Sequence, residues 1–186
     1  MKTIIYEGNN CSIPPIIKKA NKNLLSFTFT LMDGWDKQLA LDDKDSYTHK
    51  VAGISDLFGR NSVRLGIRKA PVKNMISQTP EFMYKPFMYI HRKGNTIMLP
   101  IYNFIIIPGV EYRCNIGLDN GMYYLDICRV SMPNIWNGFN SLDYVRIVED
   151  QATKIWLFPR LAGPWFETKD EEGPSFDLTT EITIIK

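Results

Sequence analysis

The sequence predicts an all-β fold, an antiparallel β-sandwich of jelly-roll type with little helix, formed as a single domain over residues 1–186. Three observations carry this. Several segments alternate apolar and polar side chains with the period of two that marks half-buried strands. Turn signals recur about every ten residues, the spacing of sandwiches and barrels. No long stretch repeats with a helical period.

The clearest element is a hairpin at residues 110–130. Val110, Tyr112, Cys114 and Ile116 alternate with Glu111, Arg113 and Asn115, and Tyr123, Leu125 and Ile127 alternate with Tyr124, Asp126 and Cys128. Asn120-Gly121 between them suits the positive φ angles of a type I′ turn.

Taken in order, residues 1–7 read as a short first strand, stopped by Pro14-Pro15, which lack backbone donors. Residues 18–23 are polar and read as a loop. In residues 24–32 (LLSFTFTLM), Leu25, Phe27, Phe29 and Leu31 share one face. Asp33-Gly34-Trp35-Asp36 ends that strand. The charged run at 42–45 reads as solvated; it lacks the ligand spacing and turn glycine of a calcium loop. Residues 51–59 suit a short strand or one helical turn. In residues 62–69 (SVRLGIRK), Val63, Leu65 and Ile67 face one way and Arg64 and Arg68 the other, a strand with a basic outer face.

Residues 70–81 read as a loop. Residues 82–92 are strand-prone. Residues 96–107 are apolar, with Pro100 marking an edge or bulge. A loop is expected at 132–141, short strands at 143–148 and 154–158, and a long loop at 159–174. The final strand at 176–185 aligns Phe176, Leu178, Thr180, Ile182 and Ile184, and the first strand is placed to pair beside it.

Composition narrows the function. The chain is 45% hydrophobic and 23% charged, which is ordinary globular usage and argues against disorder. A formal net charge of +2 gives no direct signal for nucleic acid, and no run of about 20 apolar residues suggests a membrane span. The apolar Ile4-Ile5-Tyr6 is cut off by Glu7, so no secretion signal is read, and the expected location is the cytoplasm or a virion assembled there. The cysteines Cys11, Cys114 and Cys128 form no CxxC or Cys/His cluster, so neither a disulfide framework nor zinc is expected; Cys114 and Cys128, on strands joined by one turn, read as reduced core residues rather than a bonded pair. No cofactor is predicted.

The histidines, His49 and His91, lack a nucleophile motif and read as solvated surface residues. Glu149-Asp150 are adjacent, so on a strand they face opposite sides, and Asp177 and Glu181 are separated along one strand; neither makes a glycosidase pair. A non-enzyme is therefore expected. The best leads are Trp136, Phe139, Trp165 and Phe166, aromatics in expected loops that either fold over the sandwich ends and are buried there or serve a protein interface or a sugar. Arg64 and Arg68, with Lys69 and Lys73, form a local basic patch, which reads as a solvated strand face or, more sharply, as a stripe for a phosphate or a partner.

Three stretches resemble a family of small, uncharacterised β-sandwich proteins of gut Bacteroidetes and their phages. They are ISDLFGRNSVRLGIR at 54–68, the Pro108-Gly109 turn with the strand 110–116, and the aromatic Pro/Gly loop leading through Phe176-Asp177 into 178–184. The resemblance implies a concanavalin-like or jelly-roll sandwich and no assigned activity. The family pattern carries histidines where this chain has Arg60-Asn61 and Ser175-Phe176, so histidine-dependent binding does not carry over. The expected function is a non-enzymatic structural or adaptor subunit of a larger assembly, foremost a phage virion component. Its expected partners are other protein subunits, including its own copies, through the loops 132–141 and 159–174. The alternative is a lectin-like sandwich that binds a glycan.

Overall fold

A computed structural model describes residues 2–7, 12–13, 17–19, 24–40, 48–55, 61–72, 81–92, 94–102, 104–119, 122–130, 144–150, 160–162, 165–167 and 174–185. Outside these lie Cys11, the charged run at 42–45, Lys73, Asn120-Gly121, the loop at 132–141 with Trp136 and Phe139, and the expected strand at 154–158.

The described residues form two antiparallel sheets that face one another as a sandwich. Its strands are β1 (Lys2–Ile5), β2 (Ser12–Ile13), β3 (Ile17–Lys19), β4 (Leu24–Leu31), β5 (Thr48–Ser55), β6 (Asn61–Val72), β7 (Glu81–Arg92), β8 (Asn95–Pro100), β9 (Glu111–Asp119), β10 (Met122–Arg129), β11 (Tyr144–Asp150), β12 (Arg160–Ala162), β13 (Trp165–Glu167) and β14 (Leu178–Ile185), with one short helix, α1 (Trp35–Ala40). The first sheet runs β11-β10-β9-β4-β14-β1-β2. The second runs β3-β12-β5-β6-β7-β8, with β13 also paired to β5.

The expected hairpin is β9–β10. Asp119 pairs with Met122, which leaves a two-residue connection. The first and last strands pair as expected, Ile5 opposite Leu178, and β14 lies between β1 and β4. Alternation decides which side chains meet. Phe29 is opposite both Tyr112 and Ile182, and Phe27 is opposite Cys114, so one stripe of buried side chains crosses three strands. Tyr112 stacks on Phe29 at 5.5 Å. Its hydroxyl accepts from the Ile107 amide at 2.8 Å and donates to the Ile105 carbonyl at 3.3 Å, tying the 104–109 segment to the core. Across from this stripe, β5, β6 and β7 contribute Ile54, Val63, Leu65, Ile67, Tyr84, Met88 and Ile90.

Several expectations are corrected. Trp35 does not merely end a strand: it opens α1 and is fully buried. Gly34 turns the chain with φ +88°, and a Cβ there would run into the Asp177 carbonyl, so the turn requires glycine. The Trp35 indole N–H donates to the Thr179 carbonyl at 2.9 Å, and the Tyr84 hydroxyl donates to the Trp35 carbonyl at 2.7 Å. This brings the two sheets together through one residue.

His49 is not at the surface. It is buried on the inner face of β5, opposite Ile67, with its ring 4.5 Å from that of Trp35. Residues 48–55 are all strand, because their pairing with β6 and β12 outweighs any local helical tendency. The expected loop at 70–81 is shorter: β6 continues through Pro71 to Val72, held in register opposite Glu81 and Phe82. The expected loops at 18–23 and 159–174 contain β3, β12 and β13, strands of only three residues, too short for alternation to reveal. The apolar run at 96–107 is a strand only to Pro100, at the sheet edge.

Candidate functional site: the basic face of the second sheet

The sequence places Arg64 and Arg68 on the outer face of one strand, and the structure shows what surrounds them. β6 pairs with β7 so that Arg64 is opposite Tyr89, Gly66 opposite Phe87, and Arg68 opposite Lys85. On the other side, Gly53 is opposite Arg64 and Lys50 opposite Gly66. Residues paired directly across antiparallel strands share a face. Lys50, Arg64, Arg68, Lys85, Phe87 and Tyr89 therefore lie together, on the face away from the core stripe of Val63, Leu65 and Ile67.

Two glycines flatten this face. A methyl at Gly66 would fall within the Phe87 ring, and one at Gly53 would meet the Arg64 stem. Phe87 thus lies across Gly66, and Arg64 across Gly53. Phe87 is buried although it is not part of the core between the sheets. Lys50 reaches over β6 and places its ammonium 4.2 Å from the centre of the Tyr89 ring, within cation–π range. At the end of the strand pair, His91 Nδ1 is 3.3 Å and the Tyr89 hydroxyl 3.4 Å from the Thr96 hydroxyl.

Arg64 is half-buried, and its Nε makes no hydrogen bond among the described residues. Burial pulls its guanidinium below the ordinary value, partly offset by the nearby Tyr89 hydroxyl. Arginine stays charged in proteins, so this is a cation held out of water with a donor to spare. A carboxylate, sulfate or phosphate group is the chemistry that complements this half-buried charge. Arg68 is exposed on the same face, four residues along, about 13 Å away at strand rise.

The expected patch is narrower than the sequence suggested. Lys69 belongs to the opposite face, since neighbouring strand residues alternate; it is buried, with its ammonium 4.4 Å from the centre of the Phe82 ring. Trp165 and Phe166 are not loop residues. They lie on β13, paired with Lys50 and His49 along the edge of β5. Cys114 is opposite Ile127 and buried, whereas Cys128 is opposite Arg113, so the two thiols point to different faces and both are free. Sequence reasoning missed Lys50, Tyr89 and the flattening glycines. Only Gly66 between the two arginines hinted at them.

No protein-family model matches the chain, and no curated protein matches it. Among solved structures it is similar to an alginate lyase from Klebsiella pneumoniae (12% identity, TM-score 0.48, covering 87% of this chain and 59% of the lyase chain). It is also similar to the full-length tailspike protein 2 of an Escherichia coli O157:H7 bacteriophage (11% identity, TM-score 0.39, covering 100% of this chain and 25% of that one). A third similarity is to the enzymatically active domain of tailspike protein 2 from bacteriophage CBA120 (9% identity, TM-score 0.40, covering 100% and 28%). The chain spans less than two thirds of each. Likeness at this level assigns no ligand.

Proposed function

We propose that this sandwich is a binding module that holds an acidic oligosaccharide against the outer face of its second sheet. The observation that carries the reading is Arg64, a half-buried cation lying across Gly53 beside Tyr89, on the same face as the exposed Arg68. Its separation from Arg68, about 13 Å along the strand, exceeds what one carboxylate can bridge and suits a ligand with repeated charges. Nucleic acid fits less well. Bases need open aromatic faces, but Lys50 sits over the Tyr89 ring and Phe87 is buried against Gly66. The proposal is of binding without turnover.

Calorimetric titration with uronate oligomers, neutral oligomers of equal length and single-stranded DNA tests it. The uronate oligomer binds, more weakly as salt rises, and the neutral oligomer does not. Arg64→Gln weakens binding about 10- to 100-fold, the loss of one or two charge-assisted hydrogen bonds. Equal binding of neutral and acidic oligomers, tighter binding of DNA, or an unchanged Arg64→Gln affinity overturns the reading. Release of new chain ends during the titration replaces a binder with an enzyme.

A second reading is a structural or adaptor subunit of a larger assembly such as a phage virion. It is favoured by apolar side chains left exposed, among them Ile97, Met98, Tyr102, Ile107 and Val130.

A further inference from the structure

We infer that the chain forms a two-fold dimer by antiparallel pairing of β8 with its own copy, centred on Ile97. β8 ends the second sheet, and among the described residues no strand pairs with its outer edge. Asn95, Thr96, Ile97 and Met98 are all exposed; Met98 is 53% accessible and Ile97 38%. Proteins guard such edges with charge, prolines or bulges. Residues 95–100 read NTIMLP, with no charge, and the one proline stands at the end.

The backbone sets the register. Arg92 pairs with Asn95 around a two-residue turn, and the Ile101 amide donates to the Pro86 carbonyl. Polar groups alternate along a strand, so those of residues 95, 97 and 99 point toward β7. Those of Thr96 and Met98 point outward, as does the missing N–H of Pro100. A two-fold axis perpendicular to a sheet pairs residues of the same face, so it must pass through one residue. Centred on Ile97, it sets Thr96 opposite Met98 of the other copy, twice. All four outward N–H and C=O groups of each strand's Thr96 and Met98 are then used, and Pro100 falls beyond the ladder, where no donor is needed.

Self-pairing fits this strand for two further reasons. Without charge, it meets its copy with no like-charge opposition across 95–100. Ile97 meets Ile97, which covers an exposed apolar side chain with its own kind. The same axis keeps both basic faces on one side of a continuous sheet. Two copies of Arg64 would then be open to a single long ligand, a route to avidity with no new contact.

Sedimentation over a concentration series tests the dimer, with the chain in a Cys11→Ser/Cys128→Ser background for cross-linking. The expected mass is twice the 21.5 kDa chain at high concentration, falling to one chain for Ile97→Lys/Met98→Lys. Ile97→Cys places two thiols on the axis, with Cα atoms about 4.5 Å apart, within disulfide range. It cross-links under mild oxidation. Thr96→Cys, about 9 Å from its own copy and opposite Met98 instead, does not. A monomer at every concentration overturns the proposal. So does a dimer that survives the lysine pair, or cross-linking through Thr96→Cys but not Ile97→Cys. A heteromeric partner captured by β8 while the chain itself stays monomeric also overturns it.

Discussion

Gly66→Ala isolates the feature that shapes the basic face. In a strand interior, alanine ordinarily stabilises relative to glycine by about 0.5–1 kcal/mol, because glycine loses more backbone freedom on folding. Here the added Cβ falls within the Phe87 ring, against Cζ and both Cε atoms. Phe87 is 1% exposed, so its ring is enclosed by its neighbours. Over-packing of this kind costs about 1–3 kcal/mol. The clash therefore outweighs the propensity gain, and Gly66→Ala is expected to destabilise by about 1 kcal/mol. The same change in a Phe87→Ala background meets no ring, so it is expected to stabilise by about 0.5–1 kcal/mol. Urea unfolding of the four chains of the cycle measures both values. A stable Gly66→Ala protein, or an equal effect in both backgrounds, would refute the reasoning and with it the account of how the face is flattened.

Two other predictions concern the core. Trp35→Phe keeps an aromatic ring but removes the indole donor to the Thr179 carbonyl, which keeps its bond from the Met32 amide, so the lost bond is expected to cost about 0.5–1.5 kcal/mol by urea unfolding; an unchanged midpoint would show that the bond contributes nothing. Burial, aided by the Asp126 charge, pushes the Cys114 thiol well above 9.0, and burial also pushes the Tyr112 hydroxyl above 10.0. Both groups hold their protons in the folded chain while the unfolded chain releases them. Their stabilising contribution is thus fully present below pH 9 and declines above it, by about 1.4 kcal/mol per pH unit for the thiol, with Tyr112 adding to the decline above pH 10. Cys114→Ala should flatten the fall in stability between pH 9 and 10, and an unchanged slope would exclude the thiol as its source.

Strands with clean alternation are legible in the sequence. β4, β9, β10 and the first half of β6 each place their apolar residues inward as their spacing requires. β3, β12 and β13 were not legible, because three residues carry no period. Their pairing to β5 and to one another, through residues distant in the chain, makes them strands. Histidine and tryptophan misled for a related reason. His49 and Trp35 lie in polar surroundings along the chain, yet each is buried against the other by the meeting of β5 with α1.

The candidate site divides along the same line. Alternation along one strand determined that Arg64 and Arg68 share a face and that Val63, Leu65 and Ile67 oppose them, since successive strand side chains point to opposite sides. What lies beside those arginines was decided by register. Lys50, Gly53, Phe87 and Tyr89 come from strands that no local pattern aligns with β6, and a slip of one residue would turn each to the other face. Strand periodicity is local and can be read from residue spacing, whereas register is set by the packing of two whole sheets around a shared core.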